Sequence, residues 1–124
     1  MKLRIRGDSV RLRLTRSEVQ GLAERGAVEE LTRFPGGTSL RYVLRADSAA
    51  PAVSAAFAAG VLSVSLPHAT ALAWSRSEEV AVTADVPLEG AVLRILVEKD
   101  FPCLTTRPDE DDSDAFDRDR LASG

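Results

Sequence analysis

The sequence holds one cysteine, Cys103, and one histidine, His68. A single thiol closes no intramolecular disulfide, which excludes a small disulfide-stapled secreted domain. One His and one Cys also fall short of the four ligands of a structural zinc site. No apolar run approaches the ~18–20 residues of a membrane span. The opening Met1-Lys2-Leu3-Arg4-Ile5-Arg6 alternates charge with apolar side chains and lacks the unbroken apolar stretch of a secretory signal, so the expected location is the cytoplasm. Also missing are a glycine-rich phosphate loop, a G-x-S-x-G elbow, an HExxH helix and a paired C-x-x-C. No constellation supports an enzyme, and no cofactor or metal is expected.

What is present describes a globular chain of 124 residues, 44% hydrophobic and 28% charged. The net charge of −3 hides a division. Up to Pro108 there are 14 basic and 12 acidic residues; from Asp109 onward there are two arginines and seven carboxylates. A slightly basic body thus carries an acidic end. Arginine outnumbers lysine by 14 to two, which reads as compositional bias.

Residues 2–6 and 10–14 alternate strictly, the mark of half-buried strands. Leu3 and Ile5 oppose Lys2, Arg4 and Arg6; Val10, Leu12 and Leu14 oppose Arg11 and Arg13. Gly7-Asp8-Ser9 supplies a hairpin turn. Thr15 and Glu18 have capping-box spacing. Val19, Leu22 and Ala23 follow at helical intervals, and Gly26 offers a left-handed stop, which predicts a helix over 16–25. Residues 27–34 and 38–46 read as a second hairpin turning at Pro35-Gly36-Gly37, with Leu40, Tyr42 and Leu44 facing inward.

The same order then recurs. At an offset of 52, Leu3 and Ile5 become Ala55 and Phe57, Leu12 and Leu14 become Val64 and Leu66, Leu22 becomes Trp74 and Val28 becomes Val80. At an offset of 53, Leu40-Arg41 matches Leu93-Arg94 and Asp47 matches Asp100. The expected fold class is mostly β (α+β): tandem-duplicated β-β-α-β-β units closing into one pseudo-twofold, barrel-like domain. The halves are 2–47 and 53–100, joined by a linker at 48–52. The domain is expected to span 1–104, and 105–124 to be a disordered acidic tail. One such unit alone buries too little surface to be stable. Trp74 and Phe57 are expected in the core.

Val64-Ser65-Leu66-Pro67 leads into a short helix, then Glu78-Glu79-Val80-Ala81-Val82, then the strand Val92–Val97. This run resembles the AbrB/MazE-like swapped-hairpin domain, and two such halves in one chain resemble the MraZ arrangement. The resemblance implies an intertwined barrel and, for some members, DNA binding through basic residues near the first hairpin; Arg11 is the position that corresponds here. The whole chain, with its Val97-Glu98-Lys99-Asp100-Phe101-Pro102-Cys103-Leu104 close, also looks like an uncharacterised family of short bacterial proteins.

The candidate contact surface is the first hairpin. Alternation places Lys2, Arg4, Arg6, Arg11 and Arg13 on one face, where like charges repel and invite an anion. Three partners stay open: an acidic protein segment, the chain's own C-terminal tail, and nucleic acid, the last bound through phosphate contacts. A solvated face whose Arg stems cover apolar surface is the fourth reading. The favoured function is a non-enzymatic binding or regulatory module. Its alternatives are an AbrB-like transcriptional regulator and a small enzyme or ligand-binding domain with a pocket between the halves. His68 and Cys103 are weak candidates only: His68 is read as a surface residue and Cys103 as a packed, inert thiol.

Overall fold

A computed structural model describes residues 1–100. The chain runs β1 (Lys2–Ile5), β2 (Ser9–Leu14), α1 (Arg16–Arg25), β3 (Ala27–Phe34), β4 (Thr38–Asp47), β5 (Ser54–Ala58), β6 (Val61–Pro67), α2 (His68–Arg76), β7 (Ala81–Leu88) and β8 (Ala91–Lys99). The expectations for residues 105–124 and for Cys103 lie outside the described residues.

The eight strands form two four-stranded sheets. The first has the order β1-β2-β8-β7 and the second β3-β4-β6-β5. In each, the two central strands are parallel and the outer pairs antiparallel. The first sheet therefore joins the opening hairpin to the closing hairpin, and the second joins the two hairpins between them. Each crossing from one sheet to the other runs through a helix. Because β2 runs parallel to β8, the turns at 6–8 and 89–90 lie at the same end of the first sheet, with the start of α1 at the other.

Both halves show the order β-β-α-β-β, and their central registers correspond. Ser9 pairs Arg94 as Val61 pairs Arg41, and Leu12 pairs Val97 as Val64 pairs Leu44. One expected equivalence is corrected. Val28 pairs Leu44 as Val82, and not Val80, pairs Val97. The chain runs two residues further from Trp74 to Val82 than from Leu22 to Val28, and its turn after β7 is shorter. Val82 packs on the core, whereas Val80 precedes the strand and is 50% exposed.

The local signals act as their chemistry requires. The Thr15 side chain accepts from the Glu18 amide while the Glu18 side chain accepts from the Thr15 amide. Gly26 stops α1 at φ 82°, donating to the Leu22 carbonyl. α2 has no side-chain cap, since Pro67 stands before it. The inward residues of both sheets and both helices meet in one cluster that includes Leu12, Leu14, Leu22, Leu44, Val64, Leu66, Trp74 and Val97. Trp74 is 1% exposed and donates its indole N–H to the Val80 carbonyl at 3.2 Å.

Two expectations are overturned. The sheets do not close into a barrel: β1 and β7 stay as edges of one sheet, β3 and β5 as edges of the other. The chain passes between sheets by helix, and no hydrogen-bonded ladder joins the edges. Phe57 is not in the core but 68% exposed. It lies near the turn end of β5, opposite Leu62, and among the described residues no further strand pairs with β5.

Candidate functional site

The outward face of the first sheet gathers the cations that alternation placed together. Antiparallel pairing sets Lys2 directly opposite Arg13 and Arg4 opposite Arg11. Val10, Leu12, Ile95 and Val97 on the same strands are buried in the core, so these cations point the other way. Arg94 and Asp85, paired across β7 and β8, share the outward face. Arg6 follows β1 at the turn.

At the centre sits a carboxylate that organises two of these arginines. Glu98 is 6% exposed. It lies on β8 beside Arg13 on β2 and Ala81 on β7, a small residue that leaves it leaning toward the arginines. Arg13 Nε donates to Glu98 Oε1 at 2.7 Å, and Arg11 Nη2 donates to Oε2 at 3.1 Å. Arg11 Nε makes a further ion-pair contact with Oε1 at 2.9 Å, although it lacks the alignment of a hydrogen bond. One carboxylate thus bridges two like charges that would otherwise repel and offsets one of them. Lys2 Nζ stands 3.8 Å from an Asp100 carboxylate oxygen, and Arg94 Nε 3.3 Å from Asp85 Oδ1; both contacts are exposed and worth little individually.

Arg4 and Arg6 differ. Both are exposed, and neither has a carboxylate partner among the described residues. The face carries Lys2, Arg4, Arg6, Arg11, Arg13 and Arg94 against Asp85, Glu98 and Asp100. Among the described residues it carries six cations against three carboxylates and is basic.

The second sheet does not repeat this arrangement. In the place of Glu98 beside Arg13 stands Arg45 beside Ser65, and in the place of Arg11 stands Ser63. Arg41 pairs Glu29 at 3.1 Å. The dense basic patch belongs to one sheet only.

A second charged cluster was invisible in the sequence. The Met1 ammonium contacts the Glu18 and Glu30 carboxylates, the latter at 3.0 Å, and the Tyr42 hydroxyl donates to the Met1 carbonyl at 3.0 Å. Burial, the largest single influence, disfavours the ammonium, but its hydrogen bonds to Glu18 and Glu30 outweigh that and raise its pKa. Burial likewise opposes the Glu18 anion, yet the ammonium and the Thr15 donors hold its pKa below the usual value. The Tyr42 pKa is raised, first by burial and then by the Glu30 and Glu18 charges. Only Glu18 carried a sequence signal, and that signal was for the helix cap.

His68 does not join this site, and Cys103 lies outside the described residues. His68 is the exposed first residue of α2. A cleft of about 980 Å³ opens between α1, the end of α2 and the end of β8, lined by Val19, Ala23, Ser75, Ser77 and Lys99 among others; His68 is not among its described lining residues. Among the described residues no group of three potential ligands could hold a metal ion, and no helix is long and apolar enough to cross a membrane.

A family model described as a family of unknown function, DUF7009, matches residues 1–120. The chain belongs to that family. The match takes in both sheets and continues some twenty residues beyond β8. No curated protein and no solved structure matches the chain.

Proposed function

We propose that this DUF7009 member is a non-enzymatic binding or regulatory module whose contact surface is the basic outward face of the first sheet and whose partner is an acidic protein segment. One observation carries the reading. Arg4 and Arg6 remain without a carboxylate among the described residues, next to an Arg11–Arg13 pair that Glu98 holds in fixed orientation. Two exposed cations beside two oriented ones suit a carboxylate-rich partner, whose binding is electrostatic and salt-dependent. A twofold nucleic-acid footprint suits the surface less well, because Ser63 and Ser65 replace the arginines in the second sheet.

The exchange of hairpins between the two halves supports the likeness to AbrB/MazE-like domains, and the corresponding registers of β2 with β8 and β6 with β4 support a duplicated origin. The lone cysteine supports a cytoplasmic setting.

The experiment is binding of a fluorescent poly-glutamate peptide to the full chain at low and physiological salt. We expect affinity to fall steeply with salt and to drop several-fold in the Arg4→Ala, Arg6→Ala double variant. Equal affinity in wild type and double variant refutes the assignment of the surface. Preference for duplex DNA over the peptide in the same assay transfers the function to nucleic acid.

A further inference from the structure

We infer that the acidic segment 109–119 of this chain docks on the basic face of the first sheet and screens it from outside anions; this deepens the reading above and rests on it. The point of departure is the first argument. The Asp100 amide donates to the Leu14 carbonyl at 2.7 Å, and its carboxylate stands 3.8 Å from Lys2 Nζ. The chain therefore leaves the described body at the margin of the basic face itself.

Reach is the second argument. Eight residues, 101–108, separate this point from the first carboxylate of the run. Extended at ~3.3 Å each they span about 26 Å. The distance along β1 from Lys2 to Ile5 is only about 10 Å at ordinary strand rise. The acidic run can lie over Arg4 and Arg6 with chain to spare.

Charge is the third, and it decides between the two surfaces within reach. Residues 109–119 carry seven carboxylates and one arginine. The basic face offers six cations against three carboxylates. The cleft between the helices balances Arg16, Arg76 and Lys99 with Glu24, Glu78 and Asp100, so it holds no excess charge for an acidic run. The family match, which extends through residue 120, includes the segment in the same unit as the face it would cover.

Single exposed ion pairs contribute little. Tethering changes the balance, because a connection of eight residues keeps the segment near the face at an effective concentration of the order of millimolar. Against a free acidic peptide of comparable composition, the tether gives the chain's own segment the advantage. An outside anion then competes with the chain's own carboxylates for the same cations.

The test uses the full chain and a variant of it in which the seven carboxylates between residues 109 and 119 are changed to their amides. Backbone amide shifts and poly-glutamate affinity are read for both. We expect shifts to move at residues 2–13, the same movement to appear in wild type when salt is raised, and poly-glutamate to bind the amide variant about tenfold more tightly. Arg4→Ala with Arg6→Ala should erase that difference. Shifts that move at residues 16–24 and 75–78 instead, or nowhere, overturn the docking. Equal peptide affinity in the two chains overturns the screening. Movement at residues 2–13 with no peptide binding by either chain upholds the docking and removes the proposed partner, so the two claims fail separately.

Discussion

Glu98 and Arg13 stand side by side on parallel neighbouring strands, joined at 2.7 Å, although 84 residues separate them along the chain. The carboxylate also holds Arg11, so one buried anion keeps two arginines facing the same way. Replacing Glu98 with Ala removes the carboxylate that both guanidinium groups share. We expect a loss of about 3 kcal/mol, since removing one partner of a buried ion pair strands the other charge. Arg94→Ala, which breaks only the exposed contact with Asp85, should stay within about 0.5 kcal/mol of wild type. Denaturant midpoints of the two variants check the contrast.

The contact of Met1 with Glu18 and Glu30 gives stability a defined pH window. The Glu18 pKa is lowered on folding, so its contribution is present above the ordinary carboxylate range and is lost as pH falls through the depressed value. The Met1 ammonium pKa is raised, so its contribution is complete below the ordinary amine value of 8.0 and is lost as pH rises through the raised one. Wild type should exceed Glu18→Gln by about 1 kcal/mol near neutrality. The gap should shrink on both the acid and the alkaline side. A gap that is constant from pH 3 to 10 places the effect elsewhere.

The two aromatics expected in the core separate in the structure and should separate in experiment. Trp74 is fully buried and bonded to the Val80 carbonyl, and Lys99 Nζ sits 5.4 Å from its ring centroid. Trp74→Ala should cost about 4 kcal/mol, in the range for a large buried aromatic. Phe57→Ala, at an exposed edge, should cost under about 1 kcal/mol. Thermal or chemical unfolding of the two variants measures both.

Turn geometry gives a graded pair. Gly36 and Gly60 both have positive φ, 85° and 76°. A Cβ on Gly36 meets nothing within 4 Å, whereas one on Gly60 lies 2.9 Å from the Ser39 carbonyl oxygen. Gly36→Ala should therefore cost about 1 kcal/mol for the left-handed backbone alone. Gly60→Ala should cost distinctly more, because backbone must move and Gly60 also accepts the Arg41 amide. Unfolding midpoints rank the two.

Local chemistry was legible and distant pairing was not. The Thr15–Glu18 box, the Gly26 stop and the Pro35-Gly36-Gly37 turn act over a few residues, so alternation and capping located β1 to β4 and α1 closely. The facing of Lys2, Arg4, Arg11 and Arg13 followed from period two alone. Glu98 escaped notice because only the parallel pairing of β2 with β8 brings it to Arg11 and Arg13, and nothing in either segment announces that partner. The Met1 cluster depends in the same way on α1 and β3 meeting the start of the chain. Phe57 misled because its spacing matches Ile5, which is itself exposed; equivalent position carried no information about burial at an edge. Val80 misled because the chain from Trp74 to Val82 holds two more residues than its counterpart from Leu22 to Val28.

The strand orders have a consequence for how the chain is made. Every strand of the second sheet lies between residues 27 and 67, so that sheet can assemble from a continuous stretch as it leaves the ribosome. The first sheet cannot. Its opening hairpin emerges first and must wait, cations and apolar edge exposed, until residues 91–99 arrive to pair with it. Closing a loop of that length before any contact rewards it is the entropically expensive step. An interruption between residues 67 and 91 therefore leaves one sheet complete and the other as a lone hairpin.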